Sequence, residues 1–231
     1  MWITFAFYQL ADLALLQTKL YKWLCLNILI LNILFRLVCL KLYICSMKVN
    51  ILRERLLDTA GRLFYEQGYQ QTGINQIIAE AGIAKGSFYY HFNSKSGLLV
   101  AYLDRFVNNW ILGADIFLAE IADPKARVAG LISYRIANQK KNGFNGCALV
   151  KANAGLEAVD GELRKYIGEL KQQMRDYVAA VISHSGHKKI ISDEALTDMV
   201  VLLGDGALVG TAIYHNTDDL EKAVALITAL I

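Results

Sequence analysis

The stretch from Ala81 to Lys95 reads A-G-I-A-K-G-S-F-Y-Y-H-F-N-S-K. Gly82 offers the left-handed backbone conformation that a tight turn demands. Ala84 to Phe92 follows as a short helix. Its Phe88 and Phe92, four residues apart, share one face and are expected to turn to a core. Upstream, Ile74, Ile77, Ile78 and Ala81 recur at helical spacing. Thr72 stands where a capping hydroxyl is expected. Two short helices about a glycine turn, the second crowded with Lys, Ser, Tyr and His, point to a helix-turn-helix that reads DNA rather than to catalysis.

Outward from this stretch, the pattern stays helical. Leu52, Leu56, Leu57, Ala60, Leu63 and Phe64 predict one amphipathic helix over Ile51 to Gln67, stopped by Gly68. Ser94 is placed to cap a long helix running from Lys95 toward Ala122. Pro124, the single proline, marks the next break. Further helices are predicted at Lys125–Lys141, Cys147–Val159, Glu162–Ser185, Asp193–Tyr214 and Asp218–Ile231. The connectors are Asn142 to Gly146, Asp160-Gly161, and Ser185-Gly186 with Lys188-Lys189. The expected class is all-α. Residues 47–97 form a DNA-binding domain of three helices, and residues 98–231 form a second helical domain with a core of its own.

The chain has 231 residues and a formal net charge of +3, too small to argue for a nucleic-acid partner by itself. Residues 47–110 are mildly basic and residues 111–231 mildly acidic, which suits one DNA-facing part and one facing something else. Three of the four cysteines, Cys25, Cys39 and Cys45, precede residue 47. They make no C-x-x-C pair and no zinc-finger spacing, so a reducing cytoplasm is the default and no metal or cofactor is expected. No phosphate loop, nucleophile elbow or H-E-x-x-H is present, and no enzyme activity is expected.

Residues 1–46 differ in composition from the rest. Trp23 to Ile44 is nearly all apolar, broken by Asn27, Asn32, Arg36 and Lys41. It is long enough to cross a bilayer, although Arg36 makes that costly. Three readings stand open: a membrane anchor, an extra packed helix, or a start codon assigned too early with Met47 as the true first residue. The last is favoured, because Met47-Lys-Val-Asn reads as a short basic arm leading into a helix.

The run Thr72 to Leu99, T-G-I-N-Q-I-I-A-E-A-G-I-A-K-G-S-F-Y-Y-H-F-N-S-K-S-G-L-L, resembles the DNA-binding domain of TetR-type transcriptional repressors. It departs from the family pattern at Ile78, where Ala is commoner, and at Ala84, where Ser is commoner; the second change removes a helix cap or a DNA contact. The resemblance implies operator binding by Lys85 and Ser87, which open the recognition helix and reach base edges. It implies phosphate contacts from Tyr89, His91, Lys95 and Thr72, with Asn75 as a further contact from the preceding helix. Tyr90 is left between core packing and backbone contact.

The resemblance also implies a C-terminal domain that binds a small-molecule effector and pairs with a second copy through the last two long helices. Met199, Val200, Leu202, Leu203, Leu208, Val209 and Ile213 make one helix apolar over much of its girth, as burial on two sides requires. Gly204, Gly206 and Gly210 would let helices approach closely. Asn145-Gly146-Cys147 matches a G-C motif of one branch of these repressors. Cys147 is then either an effector-sensing thiol at a helix N-terminus or a buried, inert one. Trp110, Phe117, Tyr134, Phe144, Met174, Tyr177 and Tyr214 are candidates for a pocket wall or ordinary core. The expected protein is a homodimeric repressor of double-stranded operator DNA, released by a small-molecule or electrophile effector, or a membrane-tethered version of it if residues 1–46 are genuine.

Overall fold

A computed structural model describes residues 51–187 and 191–231. The hydrophobic extension 1–46, the Met47 arm and the Lys188-Lys189 connector lie outside the described residues. The described chain is helical, without strands. Residues 54–231 form one compact unit.

Helix α1 (51–66) buries Leu56, Leu57, Ala60, Leu63 and Phe64, the face that its three-and-four spacing predicts. Gly68, at φ +91°, ends the passage out of it. Helix α2 (Ile74–Ala81) turns Ile77 and Ala81 inward. Gly82 takes φ 60°, ψ 46° and returns its N–H to the Ala79 carbonyl, closing the turn. Arg55 donates from Nη2 to the Ala81 carbonyl and pins that turn to α1. Arg62 reaches both Glu66 and Glu80, and Gln76 bonds Gln67 and Glu80, so a polar lattice holds α2 on α1. Helix α3 (Lys85–His91) has Phe88 wholly buried at its centre and Phe92 buried just past its end. Ala84 occupies its N-cap with no side-chain bond, the consequence of lacking Ser there.

Ser94 caps α4 (Lys95–Ala119), accepting from the Gly97 N–H at 3.0 Å. The buried side of α4 runs from Leu98 through Tyr102, Val107, Trp110 and Ala114 to Leu118, so one helix serves the cores at both ends of the unit. Asp123 caps α5 (Pro124–Lys141), with the proline in the first turn, where its missing N–H costs nothing. Helices α6 (Ala148–Ala154), α7 (Gly161–Ser183), α8 (Asp193–Tyr214) and α9 (Asp218–Leu230) complete the body. Helix α5 packs on α9 and α4, and α8 packs on α7 and α9.

Several expectations need correction. Helix α4 stops at Ala119, short of Ala122, and α6 at Ala154 rather than Val159, where the Gly155 N–H reaches the Lys151 and Ala152 carbonyls and the Leu156 N–H reaches that of Asn153. Thr72 caps nothing: Gly73 is the N-cap of α2, while the fully buried Thr72 hydroxyl donates to the Gly68 carbonyl at 2.8 Å. Among the three glycines of α8, a Cβ on Gly204 would press on Ile132 and Arg135 and one on Gly210 on Asp219, but Gly206 faces open space.

Phe88 carries the packing that orients α3. Phe88→Ala is expected to lower unfolding free energy by about 3–5 kcal/mol, whereas Tyr90→Ala, at a largely exposed position, changes it by less than about 0.5 kcal/mol. Urea denaturation followed by circular dichroism checks both; equal effects would mean that α3 is not held by its phenylalanine.

Candidate nucleic-acid interface and cavity

Burial of Phe88 decides which way α3 presents its other side chains. Lys85 and Tyr89 stand exposed, four residues apart on the outer face. Ser87 is half-buried, and Asn75 is exposed on α2. The Tyr89 ring meets Phe88 edge-on at 5.1 Å, which steadies the ring while its hydroxyl end reaches outward. Tyr90 is exposed and its ring packs against His91 at 5.1 Å, so Tyr90 is not a core residue. Lys85 has no ion-pair partner among the described residues.

Lys95 opens α4 as expected, but its ammonium folds back. It lies 4.2 Å from the centre of the Tyr69 ring and donates to the Gln70 carbonyl at 3.4 Å. Partial burial lowers its pKa. Thr72 cannot present its hydroxyl to a phosphate in this conformation, since it is enclosed between the Gly68 carbonyl and Gln67 Nε2. The predicted set therefore divides. Asn75, Lys85 and Tyr89 are exposed, Ser87 is half-buried, His91 is half-buried at the end of α3, Lys95 sits at the 69–70 turn, and Thr72 is interior.

A cavity of about 530 Å³ opens in the body, bordered by α1, α4, α5, α7, α8 and the loop before α6. A second hollow of about 610 Å³ shares Asp58, Tyr65, Arg105 and Lys141 with it and continues along α1. Trp110, Tyr134 and Met174 line the cavity as anticipated; Phe117, Phe144, Tyr177 and Tyr214 do not. Cys147 is a partly buried wall residue and the N-cap of α6.

The loop before α6 joins this cavity to α1. Gly143, Phe144 and Gly146 take positive φ, folding residues 142–146 tightly. Gln139 and Gly146 bond reciprocally, amide to backbone, at 2.9 and 3.1 Å. A Cβ on Gly146 would sit 3.3 Å from the Leu208 carbonyl, so the loop lies close on α8. The Tyr65 hydroxyl donates to the Gly146 carbonyl at 2.8 Å, and Lys151 Nζ donates to the Tyr65 carbonyl at 2.8 Å. One residue of α1 is thus held twice, by the cavity loop and by the helix that follows it.

Sequence reading missed the charges on the cavity's inner side. Arg135 is 5% exposed and bonds Asp205 Oδ1 at 2.9 Å; Lys171 Nζ lies 2.7 Å from Asp205 Oδ2. The guanidinium also lies 5.7 Å from the centre of the Trp110 ring. Burial alone would raise the Asp205 pKa, but attraction and hydrogen bonds from the two cations outweigh it and hold the carboxyl below its usual range. The available signal was Asp205 itself, a lone carboxylate between two glycines in the middle of an apolar helix. Among the described residues, α8 is the helix long and apolar enough to span a membrane. Its central carboxylate, tied to two cations from α5 and α7, instead makes it a core helix.

Residues 56–102 match the model for bacterial regulatory proteins of the tetR family. An uncharacterized HTH-type transcriptional regulator of Lactococcus lactis is 28% identical over 135 residues, covering 57% of this chain and 68% of its own length. HTH-type transcriptional regulator LmrA of Bacillus subtilis is 62% identical over 40 residues, but these span only 17% of this chain and 21% of that protein. The repressor DhaR of a Mycobacterium is 24% identical over 76% of this chain and 89% of its own. In fold, SCO4454, a TetR-family regulator from Streptomyces coelicolor, superposes with a TM-score of 0.69 at 24% identity, covering 78% of this chain and 87% of that one.

Asp205→Asn is expected to destabilise the protein by about 3 kcal/mol at pH 7, the lower end for breaking a buried pair, because Asp205 retains 27% exposure. A depressed carboxyl pKa contributes stability above its unfolded value of about 3.9, lost as pH falls through the folded value. The gap between wild type and variant in urea unfolding should therefore close as pH drops below about 4. A constant gap would mean that Asp205 acts through packing.

Proposed function

We infer that this chain, which belongs to the TetR family of helix-turn-helix transcriptional regulators, is a homodimeric repressor that leaves its operator when a small molecule enters the cavity. The observation that carries the DNA half is α3 itself, with Phe88 buried and Lys85 and Tyr89 left exposed. Lys85 and Ser87 at the start of α3 are the base-reading pair, and Tyr89 and Asn75 supply phosphate contacts. His91 and Lys95 follow at the edge of that surface. Lys95 would have to swing off the Tyr69 ring to meet a phosphate. Thr72 is assigned a structural role instead.

Two half-sites read by one dimer lie about 34–36 Å apart, so a second copy is part of the mechanism. Helix α8 carries an exposed stripe of Leu202, Gly206, Val209 and Ile213, at spacings of four, three and four, and Leu226 is exposed on α9. Apolar residues repeating this way want another helix, and the open side of Gly206 lets one approach closely. The occupant proposed is the same stripe of the second copy.

The route from cavity to DNA is the double hold on Tyr65. An effector wedged against the 142–147 loop would move Gly146 and Lys151 together, and α1 with them. The two recognition surfaces then no longer match their half-sites, and the population shifts to the unbound conformation. An electrophile that entered would meet Cys147 on the same wall. A mass adduct at Cys147 with operator affinity lost would support that form of sensing; an adduct without effect would leave the thiol as inert wall. The protein would work in the cytoplasm, where operator DNA is.

A gel shift with DNA flanking its own gene tests the reading. Lys85→Ala should weaken a discrete complex by about 1–3 kcal/mol and relax its sequence preference, whereas Tyr89→Phe should weaken it alike on all sequences. Complexes that smear and vanish with salt would mean only phosphate attraction. Val209→Glu with Ile213→Glu should convert a dimer to a monomer in analytical ultracentrifugation and abolish the discrete shift; a persisting dimer would move the interface elsewhere.

A further inference from the structure

We propose that the effector of this cavity is a small organic monoanion with an aromatic or otherwise flat apolar body, its carboxylate seated on Arg135 and Lys171; this rests on the reading of the cavity as the effector site. Two cations there share one carboxylate. Arg135 donates to Asp205 Oδ1, and Lys171 Nζ lies within 2.8 Å of both Asp205 oxygens, so the group carries one positive charge in excess. Arg135 is 5% exposed, and a charge that deep is stabilised only by pairing. Its single hydrogen bond among the described residues uses one donor of Nη1, leaving most of the five-donor fork for another acceptor.

The rest of the lining adds no competing anion on the inner side. Asp58, the lining's carboxylate on α1, is engaged by Arg105, which also holds Glu54. Lys141, also of the lining, is exposed and has no ion pair among the described residues, so it adds a second positive charge to the cavity's border. An anion bound inside would convert two cations on one carboxylate into two on two. A guanidinium fork and an ammonium side by side also match the two oxygens of a carboxylate in geometry. The walls fix the remaining chemistry. Trp110 and Tyr134 border the cavity with Met174 and Leu208, which give a flat ring apolar surface amid polar neighbours such as Asn109 and Asn138. A volume near 530 Å³ falls within the ~300–1,000 Å³ of sites for drug-sized molecules. Gly204 belongs to the device as well: a Cβ there would sit 3.1 Å from Arg135 Nη1, so glycine leaves the guanidinium its place.

The test uses the full chain and a panel of aryl and arylalkyl monocarboxylates, each paired with its uncharged primary amide, measured by calorimetric titration and by thermal shift. Carboxylates are expected to bind about tenfold or more tightly than their amides. Lys171→Gln, which leaves a neutral Arg135–Asp205 pair, should erase that preference while amide binding persists. The double variant Arg135→Gln/Asp205→Asn, which removes one charge of each sign and leaves the Lys171 ammonium in excess, should keep its fold by circular dichroism and keep a carboxylate preference; loss of the preference there with its retention in Lys171→Gln would overturn the charge argument. Amides that bind as well as carboxylates would overturn the anion assignment and leave the cavity as the effector site. A panel in which no member of any pair binds at about 1 mM would overturn the anion assignment and the cavity's ligand role together. The operator gel shift is independent of both results, so DNA recognition stands or falls on its own.

Discussion

The side of α4 that runs from Leu98 to Leu118 is buried along its whole length, and the rest of the unit hangs on it. Its first turns close the core of the three-helix head, with Leu98 and Leu99 fully buried alongside Phe88 and Leu56. Its later turns carry Trp110, Ala114 and Leu118 into the core of the body. The buried residues of head and body accordingly form one continuous apolar cluster. Gly61 of α1 shows how closely the parts fit: a Cβ there would lie 2.7 Å from the Tyr102 ring of α4. Interiors packed at crystal density do not deform smoothly, so displacement at one end of such a cluster is felt at the other.

Against that apolar frame, two polar devices stand out because each ties together elements far apart in the chain. One is the hold on Tyr65 by Gly146 and Lys151, which joins the loop at the cavity to the helix that supports α2. The other is the Arg135–Asp205–Lys171 group, which joins α5, α7 and α8 around the cavity's inner side. Buried charge is seldom a net source of stability, since desolvation offsets most of the attraction. A group with one cation too many is harder still to explain as scaffolding. Both devices border the same cavity, which is why a molecule there could act on α1 by mechanical displacement and select its own charge.

The head was legible because its signals are local. Glycine at 82 has one backbone solution for a turn, Ser94 has one use before a helix, and the three-and-four spacing of α1 and α2 names the buried face directly. The ends of α8 were equally legible, the expected Asp193–Tyr214 being the helix found. Errors arose where a local rule met a neighbour it could not anticipate. Thr72 looks like a cap, but the carbonyl of Gly68 takes its hydroxyl first. Lys95 opens α4 as its place in the sequence suggests, and only the fold shows the Tyr69 ring underneath its ammonium.

The sequence by itself determined the helical class, the turn that sets α3 across α2, and the face of α3 left to solvent. All of these follow from residue type at spacings of three or four along one chain segment. Only the tertiary structure decided what surrounds the cavity. Arg135, Lys171 and Asp205 are separated by up to 70 positions, and Tyr65 and Gly146 by 81. No periodicity links them, because their meeting depends on how α1, α5, α7 and α8 pack, and packing is settled by the shapes of many side chains at once. The reading surface is thus written in local sequence, whereas the charge of the cavity exists only once the helices are brought together.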